Sequence, residues 1–160
     1  MTFTAELTAT AESLTWTYGL RNDDTTAVAV LNGPDRAAPD EAPPVWVVNA
    51  GERRVEVSQR LHDLPVGVLV AEPFYVGGTT LEPGESLTGE ASTPLPLRLS
   101  YPYAGAADDS YVPSDDPRDV VFCIGFMARP AGAEHVEWFA HDAWATGMQH
   151  LACTEPHDLD

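Results

Sequence analysis

The sequence predicts an all-β chain, an antiparallel β-sandwich, and three observations carry that expectation. Apolar residues recur with period two, not 3.6, in most segments that show any regular pattern. Clusters of Gly, Pro, Asn and Asp punctuate those segments about every 8–12 residues, the spacing of short strands joined by turns. Val120–Ala128 is apolar at alternate positions on both faces, as a central strand covered on both sides should be.

The elements follow in order. In Ser13–Leu20 the positions Leu14, Trp16, Tyr18 and Leu20 alternate with Ser13, Thr15, Thr17 and Gly19, which describes a strand with one apolar face. Arg21–Thr25 is a polar turn, and Thr26–Leu31 is expected as its hairpin partner. Residues 32–44 carry Gly33, Pro34, Pro39, Pro43 and Pro44 and form a loop. Val45–Asn49 and Arg53–Leu61 flank Ala50-Gly51-Glu52 as a second hairpin. Val66–Val70 is expected to be a short apolar strand. Pro83-Gly84 turns the chain into a strand running through Ala91. In Leu95–Tyr101 the residues Leu95, Leu97, Leu99 and Tyr101 alternate with Pro96, Arg98 and Ser100. Prolines 94, 96 and 102 cannot donate to a ladder, so this strand belongs at a sheet edge. Ala143–Cys153 is expected to close the sheet, and residues 132–139 are the one candidate for a helical turn.

About nine short strands are most simply an immunoglobulin-like sandwich, with a jelly roll or an eight-stranded barrel as the alternative. The 160 residues show no internal repeat and suit a single domain spanning 1–160. Leu20-Arg-Asn-Asp-Asp24 and Leu81-Glu-Pro-Gly-Glu-Ser86 resemble the strand–turn grammar of immunoglobulin-like modules, including intracellular proteinase-inhibitor domains. The resemblance covers these two stretches only and brings no functional residue with it.

Composition excludes several functions. Eight Lys+Arg, all of them Arg, against 25 Asp+Glu leave a net charge of −17. That field repels phosphate backbones and anionic lipid, so neither a nucleic-acid nor a membrane partner is expected. With no lysine there is no Walker A loop, no pyridoxal Schiff base and no kinase-type Lys–Glu pair. Gly77-Gly78 lacks the third glycine of a dinucleotide fingerprint, and Gly84-Glu-Ser86-Leu-Thr88 lacks the closing glycine of a nucleophile elbow. The Ala-rich, Arg-only usage matches a high-GC bacterial composition. No basic, apolar leader opens the sequence, so the expectation is cytoplasmic, with Cys123 and Cys153 as reduced thiols that react with Ellman's reagent on unfolding.

Candidate sites are few. His135, Glu137, His141, Asp142, His150, Cys153 and His157 concentrate metal-capable side chains in the C-terminal third. The spacings of His150, Cys153 and His157 occur in zinc and copper sites, but no second close ligand pair accompanies them, and two core thiols with surface histidines are the favoured explanation. A hairpin register symmetric about residue 138 would set Cys123 opposite Cys153, which makes a disulfide geometrically possible. The acidic loop Asp108–Asp116 lacks the order of a calcium-binding loop. Leu95, Leu97 and Leu99 on the edge strand, with Trp138 and Phe139 in a loop, are the candidate contact residues. The expected function is a non-catalytic module, without cofactor, acting by protein–protein interaction or self-association. The alternative is a metal-binding protein or small metalloenzyme built on the C-terminal His/Cys group.

Overall fold

The computed structural model describes residues 1–129 and 138–159. Along the first half of the chain run β1 (Thr2–Ala9), β2 (Ser13–Arg21), β3 (Val28–Val30), β4 (Trp46–Asn49), β5 (Arg54–Gln59), β6 (Tyr75–Gly77) and β7 (Thr79–Leu81). The second half contributes β8 (Ser86–Pro94), β9 (Asp119–Ala128), β10 (Trp138–Ala140), α1 (Ala143–Met148), β11 (His150–Cys153) and β12 (His157–Asp158). The all-β expectation holds.

Alternation along β2 builds the first layer. Antiparallel β1-β2-β8 form a three-stranded sheet whose inner face presents Leu14, Trp16, Tyr18 and Leu20, all buried. Gly89 lies opposite Tyr18 in β8, and the tyrosine ring covers it so closely that a Cβ there would come within 2.4 Å of the ring. The second layer has the order β4-β5-β9-β3-β7, with β11 and β12 also pairing with β9. The two layers meet through Val28, Val30, Val55, Val57, Val120, Phe122 and Ile124, packed with the inner face of β2. Phe122 is the hub: its ring centroid lies 5.5 Å from Trp16, 5.4 Å from Tyr18 and 6.4 Å from Phe3.

The outer face of the large sheet is also covered. Ala29, Leu31 and Met127 point away from the first layer and pack with Leu61, Val76 and Ala145 beneath the arm formed by β10 and α1. This second core explains the apolar pattern on both faces of β9, because both faces exclude water. A third cluster joins Val48, Tyr101 and Tyr103 with half-buried Leu64, Leu99 and Tyr111.

Several expectations need correcting. Thr26–Leu31 does not pair with β2; its β3 core lies between β7 and β9, while β2 takes β1 and β8 as neighbours. A turn signal between two apolar runs cannot distinguish a hairpin from a crossing between layers. The sheets are not wholly antiparallel, since β5 runs parallel to β9, and they do not close as a barrel among the described residues. Val66–Val70 is no strand: Pro65-Val66-Gly67-Val68 folds as a turn, with Gly67 at φ 82° and Val68 N–H donating to the Pro65 carbonyl at 3.1 Å. Leu95–Tyr101 forms no regular edge strand; it contains a cis Leu95–Pro96 bond and makes a single β-bridge to the large sheet, between Ser100 and Val47. Ala143–Cys153 divides into α1 and β11, because the Asp142 carboxylate caps the helix by accepting from the Ala145 N–H at 2.8 Å. Most of the expected helical turn at 132–139 lies outside the described residues, and Trp138 and Phe139 are in β10.

The two stretches with immunoglobulin-like grammar meet in space. Asn22 is fully buried between them: its side-chain amide donates to the Thr26 and Leu81 carbonyls, and its backbone bonds both Gly84 and Glu85. The acidic loop is tied down at one end, where Arg53 bonds Asp116 at 2.5 Å, while the neighbouring Arg54 bonds Asp119.

Candidate functional site

The site is built on the outer face of the large sheet. Small Ala29 and flexible Met127 leave a shallow floor there, and the arm of residues 138–149 crosses above it. Trp138, Phe139 and Ala140 pair with Gly77, Val76 and Tyr75 of β6 in a separate two-stranded sheet, and β6 leads through Gly78 into β7 at the edge of the large sheet. α1 then turns buried Ala145 down onto Met127 and Leu61, while Trp144 (72% exposed) and Met148 (49%) face outward. Between floor and arm lies a cavity of about 160 Å³, lined chiefly by Met127, Trp138, Phe139, Trp144, Ala145 and Met148, with Arg129 and Asp142 also in its lining. The lining is almost wholly apolar, and it combines rigid aromatic rings with adaptable thioethers.

Two buried histidines hold the arm down. His62 follows β5, and His141 joins β10 to α1; they are 5% and 1% exposed. Their rings are parallel, with centroids 6.4 Å apart, inside a box walled by Trp46, Tyr101 and Tyr103. The His62 backbone N–H donates to His141 Nδ1 at 2.9 Å, so that nitrogen carries no proton and the imidazole is neutral. His141 Nε2 and Trp46 Nε1 are buried without a hydrogen-bond partner. Burial pushes His141 down to about 4 and His62 well below its ordinary range, with Arg60 adding to both effects. Gln149 completes the fastening: its side-chain amide accepts from the Leu61 N–H at 3.1 Å and donates to the Leu61 carbonyl at 2.8 Å.

The predicted metal residues are not assembled. The Cys153 sulfur is bonded to Cys123, directly opposite on β9, so it offers no thiolate. This overturns the expectation of reduced thiols, while the register that placed the two cysteines opposite each other holds. The His150 ring packs on Phe126 at 5.6 Å, and His157 lies on the separate strand β12. Among the described residues no three of His, Cys, Asp and Glu gather in a way that could hold a metal ion; His135 and Glu137 lie outside them.

The predicted contact residues divide between two places. Leu95, Leu97 and Leu99 are half-buried, with Leu95 and Leu97 packed on the central core and Leu99 on the tyrosine cluster, so most of their apolar surface is already committed. Trp138 and Phe139 do line the cavity, but from a strand and half-buried. Sequence reasoning missed Met148 and His62. The available signal for Met148 was Asp142, whose N-cap position begins the helix that presents it.

No family model matches this chain, and no match was found among curated proteins or among solved structures. Among the described residues no helix is long and apolar enough to cross a membrane.

Proposed function

We propose that this chain is a non-catalytic binding module, an immunoglobulin-like β-sandwich in the broad sense of two stacked sheets, that docks on another protein through the cavity beneath its arm. The observation that carries this reading is an apolar cavity ringed by an exposed tryptophan and methionine. Its volume is below the roughly 300–1,000 Å³ of ordinary small-molecule sites and suits one bulky side chain of a partner. Aromatic and Met side chains around a desolvated pocket are the composition of interface hot spots. The charge of −17 favours a basic or neutral partner surface. The Cys123–Cys153 bond supports work in an oxidising compartment over the cytoplasm expected from the sequence.

The test uses N-acetylleucinamide as a stand-in for the partner side chain, followed by NMR of ¹³C-methyl methionine. The methyls of Met127 and Met148 should shift saturably while Met1 does not. Trp144→Ser should weaken that binding about tenfold and change stability by less than about 0.5 kcal/mol, because the ring is mostly exposed. Uniform shifts at all three methionines, or none, would count against the docking reading.

A second reading, self-association, is favoured by β1. This eight-residue edge strand contains no proline or lysine, whereas the edge at β8 ends in Pro94. Two copies pairing β1 to β1 must overcome like-charge repulsion, so the dimer should strengthen with salt and be abolished by Thr4→Pro. Sedimentation velocity checks this, and a monomer at low and high salt up to high protein concentration would sink it.

A further inference from the structure

We propose that His62 and His141 form an acid-released latch on the arm of residues 138–149, holding the cavity intact near neutral pH and freeing its outer wall in acid. The proposal rests on the docking reading above, because the wall it frees carries Trp144 and Met148.

The geometry makes the latch sensitive to protonation. The bond from the His62 N–H to His141 Nδ1 needs a lone pair, and a proton on Nδ1 removes it. A second proton on His62 would set two parallel imidazolium rings, centroids 6.4 Å apart, against each other where both are buried among aromatic side chains. Burial and Arg60 disfavour a charged His141, and the His62 backbone and Asp142 offset them only in part. From β5 and the segment after it, Arg60 adds a like charge and is itself paired with Glu56 at 2.6 Å; Ser58 Oγ lies 3.4 Å from His62 Nε2. Asp63 is engaged through its backbone carbonyl by the Tyr101 hydroxyl. On the arm, Asp142 is the one carboxylate that favours a charged His141, and it is already capping α1. From the opposite side Tyr101 and Tyr103 present neutral phenols, and Trp46 a neutral indole.

Residues 138–140 are held by the β10–β6 ladder, and few further bonds fasten the rest of the arm. The His141 N–H donates to the Phe74 carbonyl at 2.8 Å, the Tyr103 hydroxyl donates to the His141 carbonyl at 2.7 Å, and Gln149 clasps Leu61. Three of these four attachments, counting the bond from His62, meet at residue 141, so a change at that residue loosens the arm beyond β10, residues 141–149, while the β10–β6 ladder and the central core stay formed. Both imidazoles are held below the ordinary value of 6.5. The closed arm therefore keeps its full stability above that value and loses it progressively as pH falls, most steeply between about 6.5 and about 4. With two protons taken up, the open fraction rises by up to about a hundredfold per pH unit.

The experiment is a reversible titration of protein ¹³C-labelled at its Met, Leu and Ile methyls from about pH 7.5 to about pH 4. Met127 and Met148 should move together in one step below the imidazole range, while Met1 and the methyls of Leu14 and Ile124 in the central core hold their positions. His141→Gln retains an acceptor that does not titrate and should abolish the step. His62→Gln should retain the step with half its steepness, and this variant carries the test if His141→Gln does not fold. Core methyls moving with the pocket, no step at all, or a step unchanged in both variants would overturn the latch. N-acetylleucinamide added at each pH separates the two readings. A step without binding at neutral pH defeats docking alone, and binding that is indifferent to pH defeats the latch alone.

Discussion

Replacing Phe122 by Ala should destabilise the protein by about 3–5 kcal/mol, enough to remove a third or more of a typical domain's stability. Its ring is fully buried at the point where the layers meet, against Trp16, Tyr18 and Phe3. Truncation removes the transfer free energy of the ring and leaves a cavity that rigid neighbours cannot fill. Trp16 belongs to β2 and Phe122 to β9, strands held by ladders on both sides, so neither backbone can move in to collapse the void. Urea unfolding with a midpoint lowered in proportion, at unchanged slope, is the expected result. An unshifted melt of soluble protein would mean that Phe122 is not the hub of the core.

Loss of the Cys123–Cys153 bond is the second large effect. It closes a loop of sequence separation 30, for which the chain-entropy account gives about 3–4 kcal/mol. The melting temperature should fall by about 10 °C when the protein is reduced or when both cysteines become Ala. Calorimetry with and without reductant measures this directly. Protein unfolded without reductant should show no thiol to Ellman's reagent, and two reactive thiols would reinstate the reduced state. The native fold should survive reduction, because β11 remains paired with β9 through His150–Phe126 and Leu151–Gly125 as well as at the cysteines.

The latch and the disulfide act on adjacent parts of the C-terminal chain, yet through different chemistry. β11 is tied covalently to the central strand, so opening the arm should not release the residues that follow it. Release is confined to the segment whose attachments converge on His141 and Gln149.

Strand identity was legible wherever local pattern and final environment agree. β2 alternates because one face meets the core and the other meets solvent. β9 is apolar on both faces because the first layer lies on one side and the arm on the other. The β4–β5 hairpin is local, with a short turn whose Gly51 takes φ 135°. The Cys123–Cys153 juxtaposition was also legible, since hairpin register is arithmetic. The candidate site was legible only in part. Trp138 and Phe139 stood out as aromatic residues, but nothing local marks Met127 as a pocket floor or Trp144 as its exposed wall.

The sequence by itself determined the strand-rich class, the strands with clean alternation, the exclusion of lysine-dependent chemistry, and an electrostatic field hostile to polyanions. These depend on periodicity of two along a backbone and on summed charge, which are properties of the chain before it folds. Tertiary structure alone decided that Thr26–Leu31 crosses to the other layer, that β5 runs parallel to β9, and that Val66 is solvent-exposed despite its apolar neighbours. It also decided that His62 and His141, 79 residues apart, share one aromatic box. Pairing partners and burial are set by which apolar faces cover one another once the whole chain condenses, and no local window of sequence contains both faces.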